Sequence, residues 1–351
     1  MPTFSPGFLW LRPLLGTLAV AAAAVLGSFI PSHAATPPTL AAQTVIDALQ
    51  RANAAVVGVE VTAAEGSRSA EILGRQRSGS GVVIGPDGLI LTIGYLLLEA
   101  ETIQIITQDN KSLPARAVAY DLATGFGLIK PLVNLRGVAA VPLGSTRDLQ
   151  PGEALMAATG GDEGDVSMTQ LVSKRAFSGY WEYHIDSALF TSPPIGNHSG
   201  APLFNQRGEL LGIGSLFVVD AMGENRRLPG NMFVPVDLLK PILAEMQQSG
   251  SSKSSHRPWL GLTSSEQGGR VQVLRVNRDG PAQAAGLQPG DVVLAVDGTT
   301  VATLESFYKK LWDRAEPDGE VRLTVLQGAE IKTISLKGVD RMTTMQKPGG
   351  I

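Results

Sequence analysis

Apolar positions fall into distinct regimes along the chain. Leu14 to Ile30 is almost unbroken and apolar, whereas Ala41 to Asn53 spaces Ala42, Val45, Ile46 and Leu49 on one face of a helix. From Val56 to about Leu216 the pattern becomes short β-branched runs cut by Gly, Pro and Asp. These runs predict strands, among them Val56 to Val61, Gly81 to Ile84, Leu89 to Thr92, Ile103 to Thr107 and Leu210 to Ile213, with Gly85-Pro86-Asp87-Gly88 as a tight turn. Pro235-Val236-Asp237 opens a predicted helix through Met246, with Leu238, Leu239, Ile242 and Met246 on one side and Pro241 near its first turn. Gln247 to Ser255 has the composition of a flexible linker. A second unit runs from Arg257 to about Val339, followed by a polar tail to Ile351.

Within that second unit, Pro281 suits a helix's first turn, Gly286 its left-handed stop, and Gln288-Pro289-Gly290-Asp291 a turn into a strand over Val292 to Val296. Asp297-Gly298 turns the chain again, and Thr303 has the chemistry to cap a helix over Leu304 to Arg314. This string resembles a PDZ domain of the bacterial type. The resemblance implies that Trp259, Leu260, Gly261 and Leu262 belong to a peptide-binding loop, whose N–H groups hold a terminal carboxylate while the next strand pairs with the peptide. Phe307, Tyr308 and Leu311 include candidates for lining the groove. The competing reading is a domain that only packs against the first or makes oligomer contacts.

At 351 residues the chain exceeds what one core usually supports, and a scale of about 150 residues per domain gives two. Lys and Arg total 29 against 32 Asp and Glu, so a formal charge of -3 offers no chain-wide attraction for nucleic acid. The first 34 residues have signal-peptide anatomy, with Ser32-His33-Ala34 placing small residues so that cleavage is expected after Ala34. Export to the periplasm, or another extracytoplasmic space, follows. An uncleaved N-terminal membrane anchor is the rival, since Leu14 to Ile30 approaches spanning length. Zero cysteines exclude disulfides, a thiol nucleophile and a lipoprotein anchor. No phosphate-cradling or dinucleotide string and no zinc-protease helix motif occurs, so no cofactor or metal is implied.

The first unit carries a further resemblance. Arg77 to Thr92 is similar to the segment that leads to the catalytic histidine in HtrA/Do proteases, Tyr120 to Lys130 to their aspartate segment, and Thr191 to Leu203 to their nucleophile loop. The resemblance implies a mainly β chain, a trypsin-like double six-stranded β-barrel over residues 41-248, a linker at 249-256, an α+β PDZ domain at 257-339 and a tail at 340-351. Ser199 falls at the nucleophile position, Tyr95 at the histidine position and Gly125 at the aspartate position. Asn197 stands where a glycine contributes to the oxyanion hole beside Ser199, Ala201 replaces another glycine, and one residue is missing between Ile195 and Ser199.

A serine hydroxyl needs a neighbouring base, which a carboxylate normally orients. Tyr95 is a poor replacement: with an ordinary pKa of about 10, only about one phenol in a thousand is ionised near neutrality. Loss of the histidine from a comparable triad costs on the order of a million-fold in turnover. Of the four histidines, His33 leaves with the signal, His256 sits in the linker, His198 adjoins the nucleophile and His184 reads as a strand residue. Asp121 and Glu99, near the lost positions, read as solvated surface carboxylates, and Tyr180-Trp181-Glu182-Tyr183 as a strand face.

The expected protein is therefore a pseudoprotease that binds unfolded proteins or peptide C-termini in a chaperone, adaptor or regulatory role. The alternative is an active serine endopeptidase of periplasmic protein quality control that uses Ser199 with a non-standard base. The resemblance implies trimer-based homo-oligomers or hetero-oligomers with an active relative, and no nucleic acid. The last residue, Ile351, offers an apolar C-terminus for self-capping of the PDZ groove.

Overall fold

The β-branched runs close into two barrels. β1 (Val56–Ala63), β2 (Gln76–Val83), β3 (Ile90–Ile93), β4 (Ala100–Ile106), β5 (Ser112–Tyr120) and β6 (Phe126–Pro131) form the first, in the order β1-β2-β3-β6-β5-β4. β7 (Ala154–Ala158), β8 (Val166–Gly179), β9 (Tyr183–Ser192), β10 (Pro202–Phe204), β11 (Leu210–Val218) and β12 (Gly230–Pro235) form the second, in the order β10-β11-β12-β9-β8-β7. Closure leaves no free strand edge to template aggregation. The computed structural model describes residues 41–345 apart from 163, 224, 225 and 315. The expected signal peptide and the Ile351 terminus lie outside the described residues.

Helix α1 (Ala42–Asn53) lays Ala48 and Ala52 against the second barrel. The contact is close: a Cβ on Gly208 would stand 2.5 Å from the Ala48 carbonyl oxygen. A one-turn helix, α2 (Ala70–Leu73), links β1 to β2. Strand β3 is buried at every position, as is β12, and a fully buried Ile or Leu contributes about 1.5–3 kcal/mol.

The predicted continuous helix from Pro235 to Met246 is broken. Residues Val236–Leu238 form a 3-10 turn, and α3 (Leu243–Ser249) starts only beyond Pro241. Pro241 has no N–H to carry an i to i−4 bond through this stretch. Leu239 and Met246 still reach the barrel core, so the apolar spacing survives the break.

The linker also differs from its composition. Ser251, Ser252 and Ser255 are buried, Lys253–Ser255 forms a short 3-10 turn, and the segment is tied to Asp121 of the first barrel. Hydrogen bonding to a buried carboxylate overrides a flexible composition here.

The C-terminal sheet runs in the order β14 (Leu262–Gln267), β15 (Arg270–Val276), β16 (Val292–Val296), β18 (Glu320–Gln327), β19 (Glu330–Lys337), with β17 (Thr299–Thr300) beside β16. β13 (Pro258–Trp259) pairs with β20 (Val339–Asp340). Pro281 opens the short helix α4 (Pro281–Ala284), and α5 (Leu304–Trp312) starts with a complete capping box between Thr303 and Ser306. Leu304, Phe307, Tyr308 and Leu311 on α5 are buried over the sheet. No helix among the described residues is long and apolar enough to cross a membrane.

Candidate active site

Ser199 lies on the loop between β9 and β10, where the backbone is held tightly. Its carbonyl accepts the N–H of Ser80 at 2.8 Å, Gly200 N donates to Gly214 O at 2.8 Å, and Gly214 N donates to Ala201 O at 2.7 Å. Gly200 has φ 76°, and a Cβ there would fall 2.1 Å from Ser80 O. Only glycine fits this approach.

Tyr95, on the 3-10 turn Gly94–Leu97 after β3, reaches across to this loop. Its Oη lies 2.7 Å from Ser199 Oγ and 3.1 Å from the Ser215 carbonyl oxygen. Arg77 braces the turn from behind, donating to the carbonyls of Gly74 at 3.0 Å, Tyr95 at 3.2 Å and Leu98 at 2.7 Å. Burial lowers the Arg77 pKa, and the charge of Glu99 opposes that shift.

Gly125 sits beside the same turn, since Gly94 N donates to Gly125 O at 2.6 Å. It has φ 84°, and a Cβ added there would meet Tyr183 Oη at 3.4 Å. The Tyr183 hydroxyl donates to Thr124 O at 2.7 Å, so a phenol occupies the space next to the expected carboxylate position. The fold thus gathers positions 95, 125 and 199, but supplies two hydroxyls and no side chain.

The chemistry of this group follows from its proton acceptors. Burial raises the Tyr95 pKa above its ordinary value, with the Ser199 bond as a smaller opposing effect, so the phenol keeps its proton. Its single proton goes either to Ser199 Oγ or to Ser215 O. In neither arrangement does a base receive the serine proton. Burial also lowers the His198 pKa, which keeps that ring neutral at pH 7, yet among the described residues Tyr95 is the side-chain partner of Ser199 Oγ. His184 is engaged elsewhere, with Ser178 Oγ at 2.8 Å and Asp186 Oδ1 at 3.2 Å. Asn197 is exposed and adopts φ 47°, the left-handed conformation that glycine takes freely and asparagine tolerates.

Two carboxylates expected at the surface are buried. Asp121 is 0% exposed and accepts bonds from Ser252 N at 3.1 Å, Thr124 N at 2.9 Å and Thr124 Oγ1 at 2.6 Å, as well as from the Ser252 and Ser255 hydroxyls. Burial pushes its pKa up, but those hydrogen bonds together hold it below the ordinary value. Glu99 is 6% exposed and accepts Ser69 N at 2.7 Å. Asp121 is a structural anchor with both oxygens engaged, and Glu99 ties down Ser69 through that one bond.

In the C-terminal unit, Leu260, Gly261 and Leu262 aim their N–H groups at one point, and Trp259 does not join them. Trp259 pairs with Val339, and its ring backs Gly261. The point of convergence is the carboxylate of Glu182, in the turn between β8 and β9, with N–O distances of 2.9 to 3.2 Å. Of the Tyr180 to Tyr183 group, expected as a strand face, Tyr183 opens β9, while Tyr180 to Glu182 form a turn whose Glu182 is seated in the second unit. Sequence reading missed Glu182, Arg77 and Tyr183, because each acts through a partner far along the chain.

A serine loop set between two closed six-stranded barrels, joined to a PDZ-like sheet, defines a chain of the trypsin-like peptidase fold with an appended PDZ domain. Family profiles agree: one described as Trypsin-like peptidase domain matches residues 79–213, and one described as PDZ domain matches residues 258–337. This order of domains is that of HtrA/Do proteins, which the chain resembles. It is 29% identical over 295 residues to a "Probable periplasmic serine endoprotease DegP-like" of Halomonas elongata, covering 79% of this chain and 59% of that protein. A protein of the same description from Pseudomonas savastanoi pv. phaseolicola is 30% identical over 294 residues, covering 76% and 58%. The chain thus spans under two thirds of the length of these relatives. Among solved structures, an HtrA-type protease AlgW with tripeptide superposes with TM-score 0.53 at 21% identity, over 87% of this chain and 98% of that one. A serine endoprotease from Yersinia pestis gives TM-score 0.52 at 22% identity, over 86% and 98%. These structural likenesses bear on the fold.

Proposed function

We propose that this chain is a proteolytically silent member of the HtrA/Do family that works in the periplasm by recognising protein segments, as a chaperone, adaptor or regulator of an active relative. In this reading residues 41-248 are the silent protease part, 249-256 the linker, 257-339 the PDZ domain and 340-351 the tail. Leu260, Gly261 and Leu262 take a carboxylate, and assembly is trimer-based. The periplasmic location rests on the descriptions of the relatives and on the leader-like sequence.

The observation that carries the reading is the Tyr95 Oη to Ser199 Oγ contact of 2.7 Å, with no imidazole or carboxylate on that oxygen among the described residues. A buried phenol is no acceptor for the serine proton, and loss of the base lowers turnover by on the order of a million-fold. The test is turnover of fluorescently labelled casein by the full chain. Release no faster than that of Ser199→Ala supports the silent reading. Faster release that disappears in Ser199→Ala favours the alternative, a serine endopeptidase with a non-standard base.

A further inference from the structure

One buried carboxylate plays no part at Ser199. Glu182 is 4% exposed and sits at φ 57°, a conformation uncommon for glutamate, so its surroundings must hold it there. They do so through three convergent donors: Gly261 N and Leu262 N each lie 2.9 Å from Oε1, and Leu260 N lies 3.0 Å from Oε2. Burying an unpaired carboxylate is costly, and charge-assisted bonds from a backbone nest offset that cost. Burial pushes the Glu182 carboxyl up from its ordinary range, opposed by the Leu262, Leu260 and Gly261 N–H groups and by the charge of Arg341. Arg257 closes the other side, donating to Glu182 O at 3.3 Å while its guanidinium stacks 3.5 Å over the Trp312 ring.

The rest of the turn is held as a bound strand is held. Two residues before Glu182, Tyr180 O accepts Ser264 N of β14 at 2.9 Å. Across from β14, Tyr308 Oη on α5 donates to Gly179 O at 2.8 Å and accepts Glu182 N at 3.3 Å. A segment thus lies between strand β14 and helix α5, one backbone bond on the strand and a carboxylate in the nest at its end. These are the elements of β-augmentation with capture of a C-terminal carboxylate.

We propose that Glu182 is an internal ligand of the PDZ domain. Its side-chain carboxylate takes the place of a peptide's terminal carboxylate and closes the groove until a polypeptide with a free C-terminus displaces the β8–β9 turn. This rests on the recognition role proposed above and makes that role conditional. A tethered ligand acts at millimolar effective concentration, so an incoming peptide binds with an affinity reduced by the fraction of molecules that are open. The displaced turn belongs to the second barrel, whose strand β9 leads directly into the Ser199 loop.

The experiment compares the full chain with Glu182→Gln, which keeps size and shape, and with Tyr308→Phe, which loosens the turn without touching the carboxylate. The probes are fluorescent decapeptides ending in Val, Leu, Ile or Phe, each as free acid and as C-terminal amide. Glu182→Gln is expected to bind at least one free acid about tenfold more tightly than the parent, with a smaller gain for Tyr308→Phe and none for the amides. Hydrogen exchange at the Leu260, Gly261 and Leu262 amides should quicken in Glu182→Gln while α5 stays protected. Equal affinities in all three proteins, no binding by any of them, or unchanged exchange at the three amides would overturn the proposal. Casein turnover reads out separately, so cleavage by the parent would sink the silent-protease reading and leave the Glu182 result standing.

Discussion

Tyr95 Oη stands between Ser199 Oγ and the Ser215 carbonyl oxygen, 2.7 Å from one and 3.1 Å from the other. With one proton to give, the phenol links the two barrels through a hydrogen bond where a base is required for catalysis. On the silent-protease reading the contact contributes to stability, and its removal has a signature distinct from loss of a catalytic group.

Tyr95→Phe deletes the hydroxyl and leaves the ring. It should cost about 0.5–1.5 kcal/mol, the worth of an ordinary hydrogen bond, and lower the thermal midpoint slightly. Casein turnover should remain at the level of Ser199→Ala. A thermal melt run beside the casein assay checks both, and a working phenol base would show itself as activity that Tyr95→Phe abolishes.

Restoring an imidazole alone should not restore a protease. Tyr95→His would lack an orienting carboxylate, whose loss costs about 10⁴-fold in triads of this kind. Adding Gly125→Asp meets a backbone obstacle, because residue 125 has φ 84°, a conformation that aspartate adopts at a cost. Both variants are expected to cleave casein at least a thousandfold more slowly than a complete HtrA/Do protease. Turnover near that of the complete enzyme from Tyr95→His would show that the carboxylate is supplied elsewhere.

Asp121 should carry an acid-dependent share of stability. Its folded pKa is depressed, so its contribution is whole above the ordinary value of 3.8 and is lost as pH falls below it. Asp121→Asn sets an amide against the Ser252, Ser255 and Thr124 donors and should cost about 2–4 kcal/mol at pH 7. Thermal midpoints of parent and variant should converge as the pH drops below the ordinary value. A gap that stays constant down to the lowest pH would contradict the assignment.

What the sequence discloses follows the range of the interactions. The β-branched runs, the Thr303 cap, the Pro281 start of α4 and the Asp297-Gly298 turn depend on near neighbours, and each is readable in place. The changes at positions 95 and 125 are legible because they interrupt strings with a known order. Glu182, Asp121 and Arg77 are illegible for the opposite reason. The first meets Leu260 across 78 residues, the second meets Ser252 across 131, and the third meets the Leu98 carbonyl across 21. A glutamate between aromatic residues and an aspartate after a strand look like surface positions until the fold brings their donors to them. The serine-rich linker misleads similarly, because its hydroxyls, which suggest solvation, serve instead to satisfy Asp121.

A silent protease requires an unactivated Ser199. Intact-mass spectrometry after incubation with a fluorophosphonate reads this at the oxygen itself, because adduct formation needs a deprotonating neighbour. The full chain is expected to gain no more mass than Ser199→Ala over hours at pH 7 to 8. Stoichiometric addition to the full chain that vanishes in Ser199→Ala would contradict it.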